Sequence, residues 1–255
     1  MRSGTVGSFW NAEKIKLYWE AAEFLNYPEV PLGKLFQNII RPDDTVLEIG
    51  SGPGVVSLYL APLCKRLIAV DDCQTGCAYL RKAVEERGIN NIEVKNVQWP
   101  DESLEPADVT VAMYVYKLFR NKERIQELLR LTRRTGVIMI AQPGVKGGYS
   151  YDFYKNVGIA PEEQTCYNDG CRTAALLEAF GAKVHCERVR HDFGQPVDNL
   201  EGAAQFLQRQ LKVSAENYPK LREAVEDVVE IRDGRLYVPL QRTNCVIVFE
   251  KEQEV

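Results

Sequence analysis

Three glycines at every second position follow a short apolar stretch that contains one acidic residue. Residues 45–49, Thr-Val-Leu-Glu-Ile, have the apolar, β-branched composition of a buried strand, and Gly50, Gly52 and Gly54 come directly after them. Glycine permits positive φ and the close approach of a ligand. A helix predicted over residues 55–63 adds free N–H groups at its start. A strand, a glycine turn and a helix start together are typical of a nucleotide-binding unit.

The spacing of these glycines discriminates between nucleotides. A dinucleotide site needs Gly-x-Gly-x-x-Gly, whereas this chain has Glu-x-Gly-x-Gly-x-Gly, with Glu48 two residues before the first glycine. A buried carboxylate at a strand end suits a cationic or amine-bearing ligand better than a pyrophosphate. The pattern resembles the first motif of the class I S-adenosylmethionine (SAM)-dependent methyltransferases. An ordinary glycine-rich strand–turn–helix corner is the alternative.

A second acidic position lies 19 residues after Gly52. Residues 67–71, Leu-Ile-Ala-Val-Asp, indicate another short buried strand that ends in Asp71. An acid at the carboxyl end of this strand can accept hydrogen bonds from both hydroxyls of a ribose. The resemblance assigns that role to Asp71 and places Asp72 beside it. A cap on the next helix is the alternative role, and it fits Asp72 better.

The sequence departs from the family pattern where adenine would be bound. After the third predicted strand many family members carry Gly-Asp, whereas this chain has Val97-Gln98 followed by Trp99. The resemblance therefore implies that Gln98 bonds adenine through its amide and that Trp99 offers an apolar plane beside the ring. A loop amide and a surface-anchoring tryptophan are the alternatives for these two residues.

The end of the fourth predicted strand faces both the sulfonium and the acceptor in proteins that this one resembles. Met113 and Tyr114 stand there, followed by Tyr116 and Lys117. The Asn/Asp-Pro-Pro-Tyr/Phe motif of enzymes that methylate exocyclic base nitrogens is absent. An aromatic ring lowers the cost of a nearby positive charge, although Tyr116 could instead pack under the following helix. The expected cofactor-binding residues are Glu48, Gly50, Ser51, Gly52, Gly54, Asp71, Asp72, Gln98, Trp99 and Met113.

Methyl transfer makes few catalytic demands on the protein, because it is a displacement at an already activated carbon. The chain mainly has to align the acceptor and exclude water, and a general base is needed only for a weakly nucleophilic acceptor. Tyr116 and His191 are the candidate catalytic residues. A structural role is the alternative for a histidine at a strand end. Arg188 and Arg190, together with His191, could instead bind an anionic substrate.

Repeated strand–helix units would position these residues. They predict a parallel sheet covered by helices, with ligands at the carboxyl ends of the strands. The resemblance implies a three-layer, Rossmann-like α/β fold whose sheet has seven strands, mostly parallel, with helices on both faces and the last strand antiparallel. The predicted strands are 45–49, 66–71, 92–96, 108–114, 136–141, 183–193 and 243–250, and the helices between them are 54–63, 75–88, 122–133 and 173–180.

Further helical segments flank this core. An aromatic-rich helix predicted over 8–27 would form a lid over the pocket or bury one face against the core, and a short helix follows at 32–40. Residues 145–170 predict a long loop or partly helical insertion. Helices at 200–213 and 218–230 would be an insertion before the last strand. The side chains best suited to cover an acceptor are Trp10, Tyr18, Tyr114, Tyr116, Tyr149 and Tyr151.

Length and composition limit the domain organisation and the possible partners. We predict one domain over residues 1–255, with a helical cap at 1–43, a SAM-binding core at 44–142 and an acceptor side of loop, helices and last strands at 143–255. A net charge of −4 argues against a nucleic-acid partner. The chain has no apolar run of membrane-spanning length and no signal peptide, so we expect a cytoplasmic location without membrane association. Seven cysteines without a Cys-x-x-Cys pair predict free thiols and no metal site.

The sequence therefore predicts an enzyme that transfers a methyl group from SAM to a small molecule and releases S-adenosylhomocysteine (SAH). The first alternative keeps the fold and cofactor but has RNA or protein as the acceptor. The second is a SAM-binding protein without catalytic activity. The glycine spacing disfavours an NAD-linked dehydrogenase. The acceptor atom and the oligomeric state stay open.

Overall fold

The computed structural model describes residues 10–115, 119, 121–142, 148–159 and 169–251. The large sheet contains β1 (Thr45–Ile49), β2 (Arg66–Asp71), β3 (Ile92–Asn96), β4 (Ala107–Met113), β5 (Thr132–Ala141), β6 (Ala182–Asp192) and β10 (Gln241–Lys251). A small sheet contains β7 (Gln195–Val197), β8 (Glu230–Arg232) and β9 (Arg235–Val238). The helices are α1 (Ala12–Phe24), α2 (Glu29–Ile39), α3 (Val55–Leu60), α4 (Gln74–Glu86), α5 (Lys122–Leu131), α6 (Tyr151–Asn156), α7 (Asp169–Ala179), α8 (Leu200–Leu211) and α9 (Tyr218–Ala224).

The large sheet has the order β3-β2-β1-β4-β5-β10-β6. Strands β1 to β5 pair in parallel, and β10 is antiparallel to both of its neighbours, β5 and β6. This confirms the predicted seven-stranded, mostly parallel sheet with an antiparallel last strand. The strand order reverses between β1 and β4, and ligands of open α/β sheets bind at such a point.

Two hydrophobic clusters cover the two faces of the sheet, as the prediction of helices on both faces requires. Successive residues of β1 point to opposite faces. Leu47 packs in the cluster that contains Ile125 of α5 and Leu177 of α7. Val46 packs in the cluster that contains Phe36 of α2 and Leu60 of α3. A third cluster joins α6, α8, α9 and β9 beyond the sheet.

The junction of α5 and β5 differs from the prediction, because α5 ends at Leu131 and β5 begins at the next residue. The buried hydroxyl of Thr132 donates to the carbonyl of Leu128 at 2.8 Å and lies 2.8 Å from the hydroxyl of Thr110 on β4. Thr132 thus gives a partner to a free carbonyl of the last helical turn and begins the strand beside β4. No loop is therefore needed between α5 and β5.

The helical insertion predicted before the last strand is present as α8 and α9, but its second helix is shorter than predicted and a hairpin follows it. Helix α9 ends at Ala224, and β8 and β9 form a hairpin whose pairing closes between Arg232 and Arg235. Asp233 and Gly234 make the turn with φ of 49° and 74°. Positive φ at both central residues is typical of the two-residue Asp-Gly turns that connect the strands of a hairpin. The same signal was present in the sequence and was missed.

Gly136 on β5 leaves room for a buried aromatic ring, and this gives a stability prediction. A Cβ at Gly136 would lie 2.0 Å from the ring of Phe249, its partner on β10. We expect Gly136→Ala to lower the free energy of unfolding by roughly 1–3 kcal/mol through overpacking. The matched control is Gly202→Ala in α8, where the nearest atom lies 3.6 Å away. That variant should be neutral or more stable by up to about 1 kcal/mol, because alanine favours helix.

Chemical denaturation measures both variants. A Gly136→Ala protein that is as stable as the parent would show that the ring of Phe249 has space to move aside.

Candidate cofactor and acceptor site

A cavity of about 800 Å³ lies at the carboxyl edge of the parallel strands. Its walls come from α1, the glycine turn after β1, the ends of β4 and β5, the segment after β6, α8, and the start of β10. Glu48, Gly50, Ser51, Gly52 and Met113 of the predicted cofactor-binding set line it. The cavity therefore lies beside the point of strand-order reversal, where the fold predicts a ligand.

The glycine turn needs glycine for conformation and for space. Gly50, Gly52 and Gly54 have φ of 79°, 53° and 89°. A Cβ at Gly50 would lie 2.2 Å from a methyl group of Val115, and one at Gly54 would lie 2.2 Å from a methyl group of Leu80. The turn thus lets the backbone bend between β1 and α3 at a place where side chains would collide.

Asp71 ties this turn to the end of β2. One carboxylate oxygen accepts from the N–H of Gly52 and the other from the N–H of Cys73, both at 2.8 Å. Burial raises the pKa of Asp71, while the two backbone N–H groups act to lower it. Each carboxylate oxygen keeps a second lone pair, so acceptance of ribose hydroxyls stays a prediction. Asp71 is not part of the cavity wall, and Asp72 is exposed.

Glu48 is a buried carboxylate whose hydrogen-bond partner is neutral. Its side chain is 1% exposed, and the hydroxyl of Ser57 donates to it at 2.5 Å. Burial raises its pKa to about 7; Ser57 lowers the pKa and Asp71 raises it. No lysine or arginine of the described residues forms an ion pair with it. A ligand ammonium group would supply the missing positive charge.

The two predicted adenine contacts lie outside the cavity. Gln98 is exposed, whereas Trp99 is 4% exposed and belongs to the core cluster under α5. The Trp99 ring packs edge-on against Phe119, with ring centroids 5.4 Å apart. The guanidinium of Arg124 lies 5.3 Å above the indole. Trp99 is thus a core residue and not a surface anchor, and contact of either residue with adenine stays a prediction.

The aromatic cover proposed from sequence is present in part. Trp10, Tyr18 and Tyr114 line the cavity. The Trp10 and Tyr18 rings lie 5.2 Å apart, and the Trp10 indole lies so close to Gly52 that a Cβ there would be 2.8 Å from its nitrogen. The start of α1 therefore covers the glycine turn. Tyr116 lies outside the described residues.

Tyr149 and Tyr151 do not line the cavity, and their contact with an acceptor stays a prediction. The Tyr149 hydroxyl donates to the carbonyl of Pro239, and its ring packs on Phe153 at 4.8 Å in the third hydrophobic cluster. Tyr151 is 65% exposed at the first turn of α6. Their segment packs against α8, α9 and β9, because Phe153 and Tyr154 provide its buried face.

His191 is also set back from the cavity. Its ring stacks on Tyr27 at 5.7 Å, and its Nδ1 lies 3.2 Å from the amide nitrogen of Asn244. Burial, assisted by the charge of Arg242, lowers its pKa to about 4, so the ring is neutral at neutral pH. Since Tyr27 lines the cavity and His191 does not, this placement gives the histidine no direct contact with a ligand there. Arg188 and Arg190 are exposed.

Sequence reasoning missed several residues that line the cavity, and four of them are Tyr27, Phe193, Gln195 and Arg242. Three of them come from the segment after β6 and from the start of β10. Because β10 is antiparallel, its first residues lie at the edge where the parallel strands end. Arg242 could have been predicted from the expected antiparallel strand, because the amino end of such a strand lies at the edge where ligands bind.

Comparisons with known proteins agree with this geometry. Residues 47–140 match a family model described as a methyltransferase domain. The structure is similar to YcgJ protein from Bacillus subtilis, with 13% identity and a TM-score of 0.56 over 89% of this chain and 100% of that one. It is also similar to precorrin-6y C5,15-methyltransferase from Geobacter metallireducens (12% identity, TM-score 0.54, 90% and 92% covered). A SAM-dependent methyltransferase from Aquifex aeolicus is a further neighbour (14% identity, TM-score 0.51, 92% and 98% covered). The search of curated proteins found no match.

Proposed function

We propose that this chain, a class I SAM-dependent methyltransferase by its domain and fold, methylates a small molecule. The cavity at the carboxyl edge of the sheet is the observation that carries this proposal. Its volume of about 800 Å³ lies within the range of small-ligand sites. Apolar and aromatic side chains form most of its wall, with a few polar groups among them, as in sites that enclose small ligands.

The residues at one end of the cavity fit SAM. The buried Glu48 carboxylate has no cationic partner among the described residues and suits the amine of the methionine part. The glycine turn allows the backbone to approach, and Asp71 at the end of β2 would accept from the ribose. When bound, SAM supplies a methyl group on a sulfonium sulfur. Tyr114 places an aromatic ring at the end of β4, where such a ring stabilises a nearby positive charge.

The other parts of the wall align an acceptor and exclude water. Trp10 and Tyr18 cover the cavity from α1, and Phe193 lies 5.6 Å from the Tyr18 ring. Phe206 of α8 adds apolar surface. A molecule held among these rings is fixed in orientation and separated from bulk water, which favours a displacement reaction. The rings before and within α1 cover the glycine turn, which favours a small acceptor over an RNA or a folded protein.

A labelling experiment tests the acceptor class. Purified protein is incubated with methyl-labelled SAM and, separately, with the small-molecule, RNA and protein fractions of a cell extract. We expect label to be transferred in the small-molecule fraction, because the cavity is enclosed on the side of α1. The variant Asp71→Ala is the control and should transfer little label.

Label in RNA or protein would contradict the proposal and support the macromolecular alternative. A protein that binds SAM by calorimetry but labels none of the three fractions would support the non-catalytic alternative.

A further inference from the structure

One cation in the cavity wall has no anionic partner within the described ranges. Arg242 stands at the start of β10, and its guanidinium lies 4.6 Å from the centre of the Phe193 ring. Asp192, at the adjoining end of β6, is already engaged by Arg232 at 2.9 Å and by the N–H of Leu240 at 2.8 Å. A half-buried guanidinium gains most from a carboxylate, so the lack of an ion pair with a described residue indicates a ligand.

Neutral hydrogen-bonding groups surround the same part of the cavity. Gln195 is 3% exposed and lines the cavity, and its amide nitrogen has no hydrogen-bond partner among the described residues. The hydroxyls of Tyr27 and Tyr114 are also buried in the cavity wall, close to each other. Tyr114 lies close enough to Arg242 for the guanidinium to oppose the rise in its pKa that burial causes. Buried donors without acceptors are costly, and an anionic ligand would satisfy several of them at once.

Arg242 comes from a different part of the sheet than the glycine turn. Strand β10 is separated from β1 by β4 and β5, so three inter-strand steps place it about 14 Å from the strand that carries Glu48. Arg242 therefore reaches the cavity from β10, whereas the glycine turn reaches it from β1. The other arginine in the wall, Arg209 of α8, is paired with Glu13 at 3.7 Å.

We propose that the acceptor of this enzyme carries a carboxylate, which Arg242 and the donors of Gln195, Tyr27 and Tyr114 bind. The proposal rests on the proposed small-molecule function and adds the chemical class of the acceptor. One guanidinium and three neutral groups balance a single negative charge, so a carboxylate fits better than a phosphate dianion. The rings of Tyr18 and Phe193 beside it suit an apolar or aromatic body joined to that carboxylate.

Binding to the SAH-loaded protein tests the proposal without methyl transfer. Benzoate and phenylacetate are compared with benzamide, phenylacetamide and phenyl phosphate by ligand-observed NMR titration. We expect the wild type to bind the carboxylates about 10- to 100-fold more tightly than the amides, as a charge-assisted hydrogen bond provides. Arg242→Gln should abolish this preference, and Arg242→Lys should keep part of it because lysine retains the charge but not the planar fork.

The control Arg209→Gln should keep the preference, because that arginine is already paired with Glu13. SAH affinity, measured by calorimetry, should be unchanged in all three variants.

Three outcomes would overturn the assignment. Equal or absent binding of carboxylates and amides would show that no carboxylate site exists. Tighter binding of phenyl phosphate than of the carboxylates would show that the site prefers a phosphate dianion. Loss of SAH affinity in Arg242→Gln would show that this arginine binds the cofactor and not the acceptor. A failure of small-molecule labelling with the carboxylate preference intact would instead contradict the proposed function alone.

Discussion

Replacing Asp71 with alanine should weaken SAH binding by more than about 100-fold. The Asp71 carboxylate accepts hydrogen bonds from the N–H groups of Gly52 and Cys73, so it holds the glycine turn against the end of β2. Each bond to a charged acceptor contributes roughly 1.5–3 kcal/mol, and losing two of them releases the turn. Contacts with ribose hydroxyls, if Asp71 makes them, would increase the loss. Calorimetric titration with SAH measures the change.

Two further variants distinguish the hydrogen-bonding role of Asp71 from the effect of negative charge alone. Asp71→Asn keeps the shape but has one acceptor oxygen, so one N–H loses its partner and the loss of affinity should be intermediate. Asp72→Asn removes a neighbouring charge that is exposed, and it should leave affinity nearly unchanged. If Asp71→Ala bound SAH like the wild type, neither the turn nor the ribose would depend on this carboxylate.

The sequence predicted the sheet well for a physical reason, and the same reason places the glycine turn at its carboxyl edge. Short apolar strands, the glycines after β1 and the acid after β2 are local patterns, and parallel connectivity brings strand ends to one edge. The predicted bounds of the strands at 45–49, 66–71 and 92–96 agree with the structure. The placement of Glu48 and the glycine turn followed from these local patterns alone.

The rest of the cavity wall depends on tertiary packing, which local sequence patterns do not encode. Tyr149 and Tyr151 are aromatic residues near the right strand end, yet the segment that carries them turns away to pack on α8 and α9. Conversely, Gln195 and Arg242 carry no motif and reach the cavity through the antiparallel pairing of β10 with β5 and β6. Residue type does not encode which of several loops faces a pocket.

Glu48 should make SAM binding and protein stability depend on pH in opposite directions. In the cofactor-free protein burial raises its pKa to about 7 from an ordinary value of 4.5. Between these values the folded protein binds more protons than the unfolded chain, so the free energy of unfolding falls as pH rises. The cofactor-free protein should lose roughly 3 kcal/mol over this range and level off above pH about 7. Denaturant titrations across this pH range measure the loss.

Binding of the SAM amine should require the ionised carboxylate. Affinity should therefore rise about tenfold per pH unit up to pH about 7 and then level off, with a proton released on binding at lower pH. Calorimetry in two buffers of different ionisation enthalpy counts that proton. In Ser57→Ala the carboxylate loses the hydroxyl that lowers its pKa, so the plateau should begin at a higher pH.

Glu48→Gln gives the decisive comparison, because it removes the charge while keeping the shape of the side chain. At about pH 8 the cofactor-free variant should be more stable than the wild type by up to roughly 3 kcal/mol, since no buried charge remains. Its affinity for SAH should fall and lose the pH dependence below about pH 7, since the amine then meets a neutral amide. Gains in stability and losses in affinity from one isosteric change would identify Glu48 as a carboxylate kept buried for a cationic ligand. Wild-type affinity for SAH in Glu48→Gln, with the same pH dependence, would instead make Glu48 a structural partner of Ser57 and leave the amine to other groups.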